Sequence, residues 1–207
     1  MALIDFPDMQ PRHTLFAAFV GLATALKNSG LAKDVSDDLQ RTAKKLKQAI
    51  PDLEEKGKEL ANKLKGKTPI FTSSHLLAFA AQNFKIQTNE NAKTPAFWNY
   101  FPELNHNELV GFTKPQTKFH VVILRDKDDH PRTRSRMDVT AELYEKWGVE
   151  VSTFEVEGQT LLEKIFYTVS FGLWTTYYLA LAYNIDPVPV EGVESFKKRL
   201  KEVAGDI

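Results

Sequence analysis

Between Pro11 and Leu26 the apolar positions recur at the helical period. Leu15, Phe16, Phe19, Leu22, Ala23 and Leu26 share one stripe, and Gly30 offers a stop. Residues 33–65 are charged, with Leu39, Leu46, Leu53, Leu60 and Leu64 as a thin apolar line. The seven-residue spacing of the first four resembles a coiled coil, but Pro51 interrupts it. The pattern therefore predicts two helices, the second opened by Asp52. An amphipathic cover with a solvated outer face explains this stretch better than a partner-binding zipper. Met1 to Gln10 hold little pattern.

At Lys67 the character changes. Thr68–Thr72 has β character, Ser73-Ser74-His75 follow, and an apolar helical run covers Leu76–Phe84. Phe119–Leu124 is a strand apolar enough to be buried on both faces. Asp126–Asp129 makes a polar turn, 131–147 a helix ending at Gly148, and Val149–Val156 another strand. A long apolar helix follows over Gln159–Tyr183, then Asp186-Pro-Val-Pro189 and a last amphipathic helix over 190–203. Strands alternating with helices predict an α/β fold, a parallel sheet with helices on both faces.

Composition narrows the function classes. The 207 residues carry 27 Lys+Arg and 27 Asp+Glu, a net charge of zero, which argues against a nucleic-acid binder driven by phosphate neutralisation. With no cysteine, disulfides, thiolate metal sites and cysteine nucleophiles are excluded. No apolar run approaches the roughly 20 residues of a membrane span, and no signal-peptide layout opens the chain. A soluble, cytoplasmic protein is the expectation, with neither nucleic acid nor membrane as partner.

In an open parallel sheet, ligands sit at the carboxyl ends of the strands. That rule selects Thr72–Ser74, residues 85–112 and Arg125–Arg136. Three hydroxyls before a helix suit an anion such as phosphate, although helix capping by Ser73 or Ser74 explains the same residues. Residues 89–108, expected as one long ordered loop, crowd five asparagines, three glutamates, one lysine and one histidine among Phe97, Trp98, Tyr100 and Phe101. A carboxylate fenced by amides and rings can be desolvated toward useful basicity, and His106 could supply a second proton-transfer group. Asp126, Asp128, Asp129 and His130 lack the spacing of a metal site, and no metal is expected. Arg132, Arg134 and Arg136 suit either a phosphate or a solvated helix edge. His13, His75 and His120 read as structural.

Taken together, Thr68-Pro-Ile-Phe-Thr-Ser-Ser, Asn89-Glu-Asn-Ala-Lys, Phe97-Trp-Asn, Phe101-Pro-Glu-Leu-Asn-His-Asn-Glu-Leu-Val-Gly, Leu124-Arg-Asp-x-Asp-Asp-His-Pro-Arg and Asp186-Pro-x-Pro-Val resemble the bifunctional phosphoglucose/phosphomannose isomerase family. The resemblance runs from about Pro11 to Leu200. It implies a three-layer α/β/α SIS (sugar isomerase) domain over 67–207, preceded by a helical linker segment over 1–66. It further implies aldose–ketose isomerisation of glucose 6-phosphate or mannose 6-phosphate with fructose 6-phosphate through a cis-enediol, with no cofactor.

By motif position, Glu90 resembles the base and His106 the ring-opening residue, the latter supplied in this family by the other subunit of a homodimer. A C-terminal lysine assists ring opening, matched here by Lys197 with Lys198 beside it. Ser73, Ser74 and Asn89 take the place of substrate-binding residues. Family members carry two SIS halves, and this chain resembles only the second with the linking helices. The main phosphate-binding loops, and an arginine that steadies the enediolate, are expected on a separate N-terminal SIS half. A sugar-phosphate-binding or assembly module without turnover is the alternative reading.

Overall fold

The computed structural model describes residues 9–205. A short 3-10 turn (Pro11–His13) leads into α1 (Leu15–Asn28), and Gly30 ends it with φ +69°, as the sequence predicts. Helix α2 (Ser36–Leu64) then runs unbroken through Pro51, so the predicted pair of helices is one. Its Leu53, Leu60, Ala61 and Leu64 are buried in the core, with Leu46 packed against them. That packed face outweighs the single backbone hydrogen bond a proline removes.

Four parallel strands follow: β1 (Thr68–Ser74), β2 (Phe97–Phe101), β3 (Phe119–Asp126) and β4 (Glu150–Val156), in the order β2-β1-β3-β4. Their connections are α3 (Ala78–Asn91), α5 (Pro131–Lys146) and, between β2 and β3, the short α4 (Leu104–Asn107) with a 3-10 turn at Leu109–Phe112. After β4 come α6 (Leu161–Ala182) and α7 (Glu191–Ala204). The long loop expected over 89–108 is therefore the end of α3, an aromatic strand, and the α4 turn. Phe97-Trp-Asn-Tyr-Phe101 has the bulk that suits a pleated surface, which loop-forming asparagines around it obscure in the sequence.

Side chains alternate between the two faces of the sheet. Phe71, Val122, Leu124 and Phe154 point to α2, α3 and α6, while Ile70, Val121, Ile123 and Val149 point to α5. The result is the expected three-layer arrangement. Phe84 and Phe171 pack α3 on α6, with Phe84 stacked on Phe71 at 4.0 Å. Gly57 lets α2 approach α6 closely, since a Cβ there would lie 2.7 Å from Trp174 Cβ. His120, structural as expected, is buried in β3 against Ser152 Oγ at 2.9 Å.

Candidate active site

A chain that passes up β1 and up β2 in parallel must descend through α3. The last turn of α3, with Asn89 and Glu90, therefore lies at the amino edge of the sheet, not the carboxyl edge that the ligand rule selects. The chain descends α6 in the same way, bringing Ile185–Val190 beside that turn. A cleft of about 710 Å³ opens there, lined by Asn89, Glu90, Lys93, Asp186 and Glu191 among others.

Arg12, from the turn before α1, is nearly buried and organises this corner. Its Nε donates to Asn91 Oδ1 at 2.7 Å and its Nη1 to Glu90 Oε2 at 3.3 Å. Its Nη2 donates to the carbonyls of Pro187 and Val188, both at 2.8 Å. Asn91 Nδ2 in turn donates to Thr176 Oγ1 on α6 at 2.9 Å. Five donors in a fixed fork allow one side chain to brace both segments. Lys93 Nζ stitches the same segments through the carbonyls of Glu90 (2.9 Å) and Asp186 (3.0 Å). Burial, then the charge of Arg12, lowers the pKa of Lys93. Asn89 Nδ2 is spent locally on Thr94 O at 2.8 Å.

Two cations thus flank one carboxylate that is 39% exposed at a cleft mouth. Chemically, such a corner can take a proton from carbon and hold the negative charge that results on oxygen. An arginine of this chain, Arg12, thus stands at the candidate base. Arg12 lies 78 residues before Glu90, and nothing in its local sequence marks the meeting.

The other expected residues stand elsewhere. Ser73 and Ser74 end β1 at the carboxyl edge, in register with Tyr100 and Phe101. They belong to the strand and not to a loop after it, and neither hydroxyl caps a helix. Ser73 Oγ donates to Ser74 O at 2.9 Å, while Ser74 Oγ is buried with no hydrogen-bond partner among the described residues. His106, on α4, is exposed at this same edge. Lys197 is exposed on α7, paired with Glu194 at 2.9 Å. The structure therefore brings Asn89 and Glu90 together, places Ser73, Ser74 and His106 at the opposite edge, and joins Lys197 to neither group.

The acidic turn after β3 is structural. Lys164 is buried between Asp126 at 2.6 Å and Asp128 at 2.7 Å, and His130 Nδ1 caps α5 by accepting from the Arg132 amide. Glu163, next to Lys164, is buried between Lys45 (2.7 Å) and Arg41 (3.1 Å). Burial pushes its carboxyl up, but Lys45, the Gln159 amide and Arg41 overcome this and hold it down at about 2.

The family model for the bacterial phospho-glucose isomerase C-terminal SIS domain matches residues 53–200. The chain belongs to that family. It is 36% identical over 197 residues to a bifunctional phosphoglucose/phosphomannose isomerase of Aquifex aeolicus, covering 94% of this chain and 60% of that protein. A protein of the same name from Caldicellulosiruptor bescii is 34% identical over 213 residues, covering 97% and 63%. The chain thus spans about 60% of the length of these relatives. A glucose-6-phosphate isomerase like protein from Thermus thermophilus shares the fold, with a TM-score of 0.70 at 20% identity over 97% of this chain and 67% of that one.

Proposed function

We propose that this chain supplies the proton-transfer site of a phosphoglucose/phosphomannose isomerase, interconverting glucose 6-phosphate or mannose 6-phosphate with fructose 6-phosphate. The observation that carries the reading is the Glu90–Arg12 pair at the mouth of the amino-edge cleft. With the sugar open, the Glu90 carboxylate takes the C2 proton of the aldose. The electrons of that C–H bond form the C1=C2 bond, and the C1 carbonyl oxygen becomes the enediolate oxygen. Arg12 stabilises that charge; the C2 hydroxyl proton passes to the C1 oxygen, and Glu90 returns its proton to C1 as the C2 carbonyl of the ketose forms. No metal or organic cofactor is needed for this transfer.

Ring opening belongs to His106, aided by Lys197. Because His106 lies at the other edge of its own chain, the reading assigns to each Glu90 the His106 of a second copy in a homodimer. Asn89 then contacts substrate on the Glu90 side, and Ser73 and Ser74 on the His106 side. The linker segment spans 1–66 and the SIS domain 67–207, residues 1–8 and 206–207 lying outside the described ones, with a separate N-terminal SIS half completing the phosphate clamp. The cytoplasm, where sugar phosphates are metabolised, is the proposed setting.

The test is a coupled assay with fructose 6-phosphate, reporting glucose 6-phosphate and mannose 6-phosphate. The chain is measured alone and with the N-terminal portion of the A. aeolicus relative. Turnover on addition, lost by roughly 10³-fold or more in Glu90→Gln, is the expected result. Full turnover in the Glu90→Gln assembly would overturn the assignment.

A further inference from the structure

The His106 side chain makes no hydrogen bond or ion pair among the described residues, and it is exposed. Its direction is set by a four-residue helix. On either side of it, that helix is tied to the body of the domain. Asn105 Nδ2 donates to Thr140 Oγ1 on α5 at 2.8 Å, and Leu104 is fully buried. Glu108 N–H closes the turn onto Leu104 O at 3.1 Å, and its side chain reaches back to β2, where Asn99 Nδ2 donates to Glu108 Oε2 at 2.7 Å.

The Glu108 tie is a costly one. Among the described residues its Oε1 is buried with no partner, and so is the hydroxyl of Tyr144, whose proton is held more tightly by burial and by the nearby Glu108 charge. Burial pushes the Glu108 carboxyl above its ordinary range, with the Asn99 hydrogen bond opposing the rise. A carboxylate met by one neutral donor is expensive to bury, and an amide would accept the same bond at less cost. Perturbed carboxylates of this kind gather at functional sites.

We infer that Glu108 is a positioning residue for His106, holding the His106-bearing turn on β2 through Asn99. The inference rests on the proposed role of His106 in ring opening. An imidazole with no partner of its own depends on its backbone for aim, and a displacement of about 1 Å can cost on the order of 10²-fold in rate.

The experiment compares Glu108→Ala, Glu108→Gln and Asn99→Ala by two readouts. One is the imidazole resonances of His106 in ¹H–¹³C spectra of the full chain, assigned with His106→Asn and needing no turnover. The other is kcat and KM of the assembled isomerase. The buried His120 resonance serves as the check on folding. Glu108→Ala and Asn99→Ala should each shift and broaden the His106 signals and lower kcat about 10–100-fold with KM little changed. Glu108→Gln, which still accepts from Asn99, should return both toward the parent, and the double alanine variant should add nothing to either single one. Unaltered His106 signals and kcat in a folded Glu108→Ala would overturn the inference. Full turnover in His106→Asn would instead overturn the ring-opening role of His106, while its resonance still reads whether Glu108 holds the turn.

Discussion

Glu90 and His106 lie at opposite edges of one sheet, with the whole of β2 between them. Four residue steps at about 3.3 Å make that separation about 13 Å or more, several times the reach of a hydrogen bond. One substrate carbon skeleton cannot touch both groups within a single chain. Either the two act on different molecules, or two chains meet with the carboxyl edge of one against the amino edge of the other. The second arrangement is the one proposed, and it makes Glu90 and Arg12 one half-site, and His106 with Ser73 and Ser74 the other.

Arg12 is the cation of the first half-site and also its brace. Arg12→Lys keeps one charge but cannot reach Asn91, Glu90, Pro187 and Val188 together. Steady-state kinetics of the assembled isomerase should show kcat lowered roughly 10²-fold. An unchanged kcat would remove Arg12 from the chemistry and leave it a brace only.

The interlock of α2 and α6 depends on Gly57. A methyl group there meets Trp174 Cβ at 2.7 Å and the Thr175 amide nitrogen at 2.9 Å, so the helices must part. Chemical denaturation of Gly57→Ala should show a loss of about 1–3 kcal/mol, despite the better helix propensity of alanine. Gly111→Ala, with nothing within 4 Å of the added carbon, is the control and should stay within about 0.5 kcal/mol of the parent.

Acid should destabilise the fold in two separable stages. Burial, then the charge of Lys67, lowers His120 from 6.5 to about 4, although Glu150 pulls it back up. Between those values the unfolded chain binds the proton and the folded one does not. Stability is therefore present above pH 6.5 and is lost as pH falls toward 4. Glu163, held at about 2, contributes stability that is lost only below its ordinary 4.5. Urea melts between pH 7 and 4.5 should slope downward in the parent and flatten in His120→Gln. Equal slopes in both proteins would place the acid sensitivity elsewhere.

Much of this fold was legible in the residues themselves. Phe119–Leu124 reads as a strand buried on both faces and Gln159–Tyr183 as a long apolar helix, and both elements form, as Phe119–Asp126 and Leu161–Ala182. Pro51 misled because packing of Leu53 and Leu60 on α6, invisible to a local rule, overrides one lost hydrogen bond. Phe97–Phe101 was hidden because its aromatic residues sit among asparagines that favour turns. Glu90 could be marked by its motif, but its edge of the sheet follows only from the path of α3. Arg12 and Glu108 were illegible for the same reason: one acts across 78 residues, the other through burial that only the fold creates.

Mixing Glu90→Gln and His106→Ala chains tests the shared site most directly. Each variant alone should be inactive in the completed assembly. Random re-pairing makes half of the dimers mixed, and each mixed dimer carries one intact Glu90–His106 site of its two. About a quarter of the parent rate should therefore return on mixing. A mixture no more active than its separate components would contradict a site built from two copies of this chain.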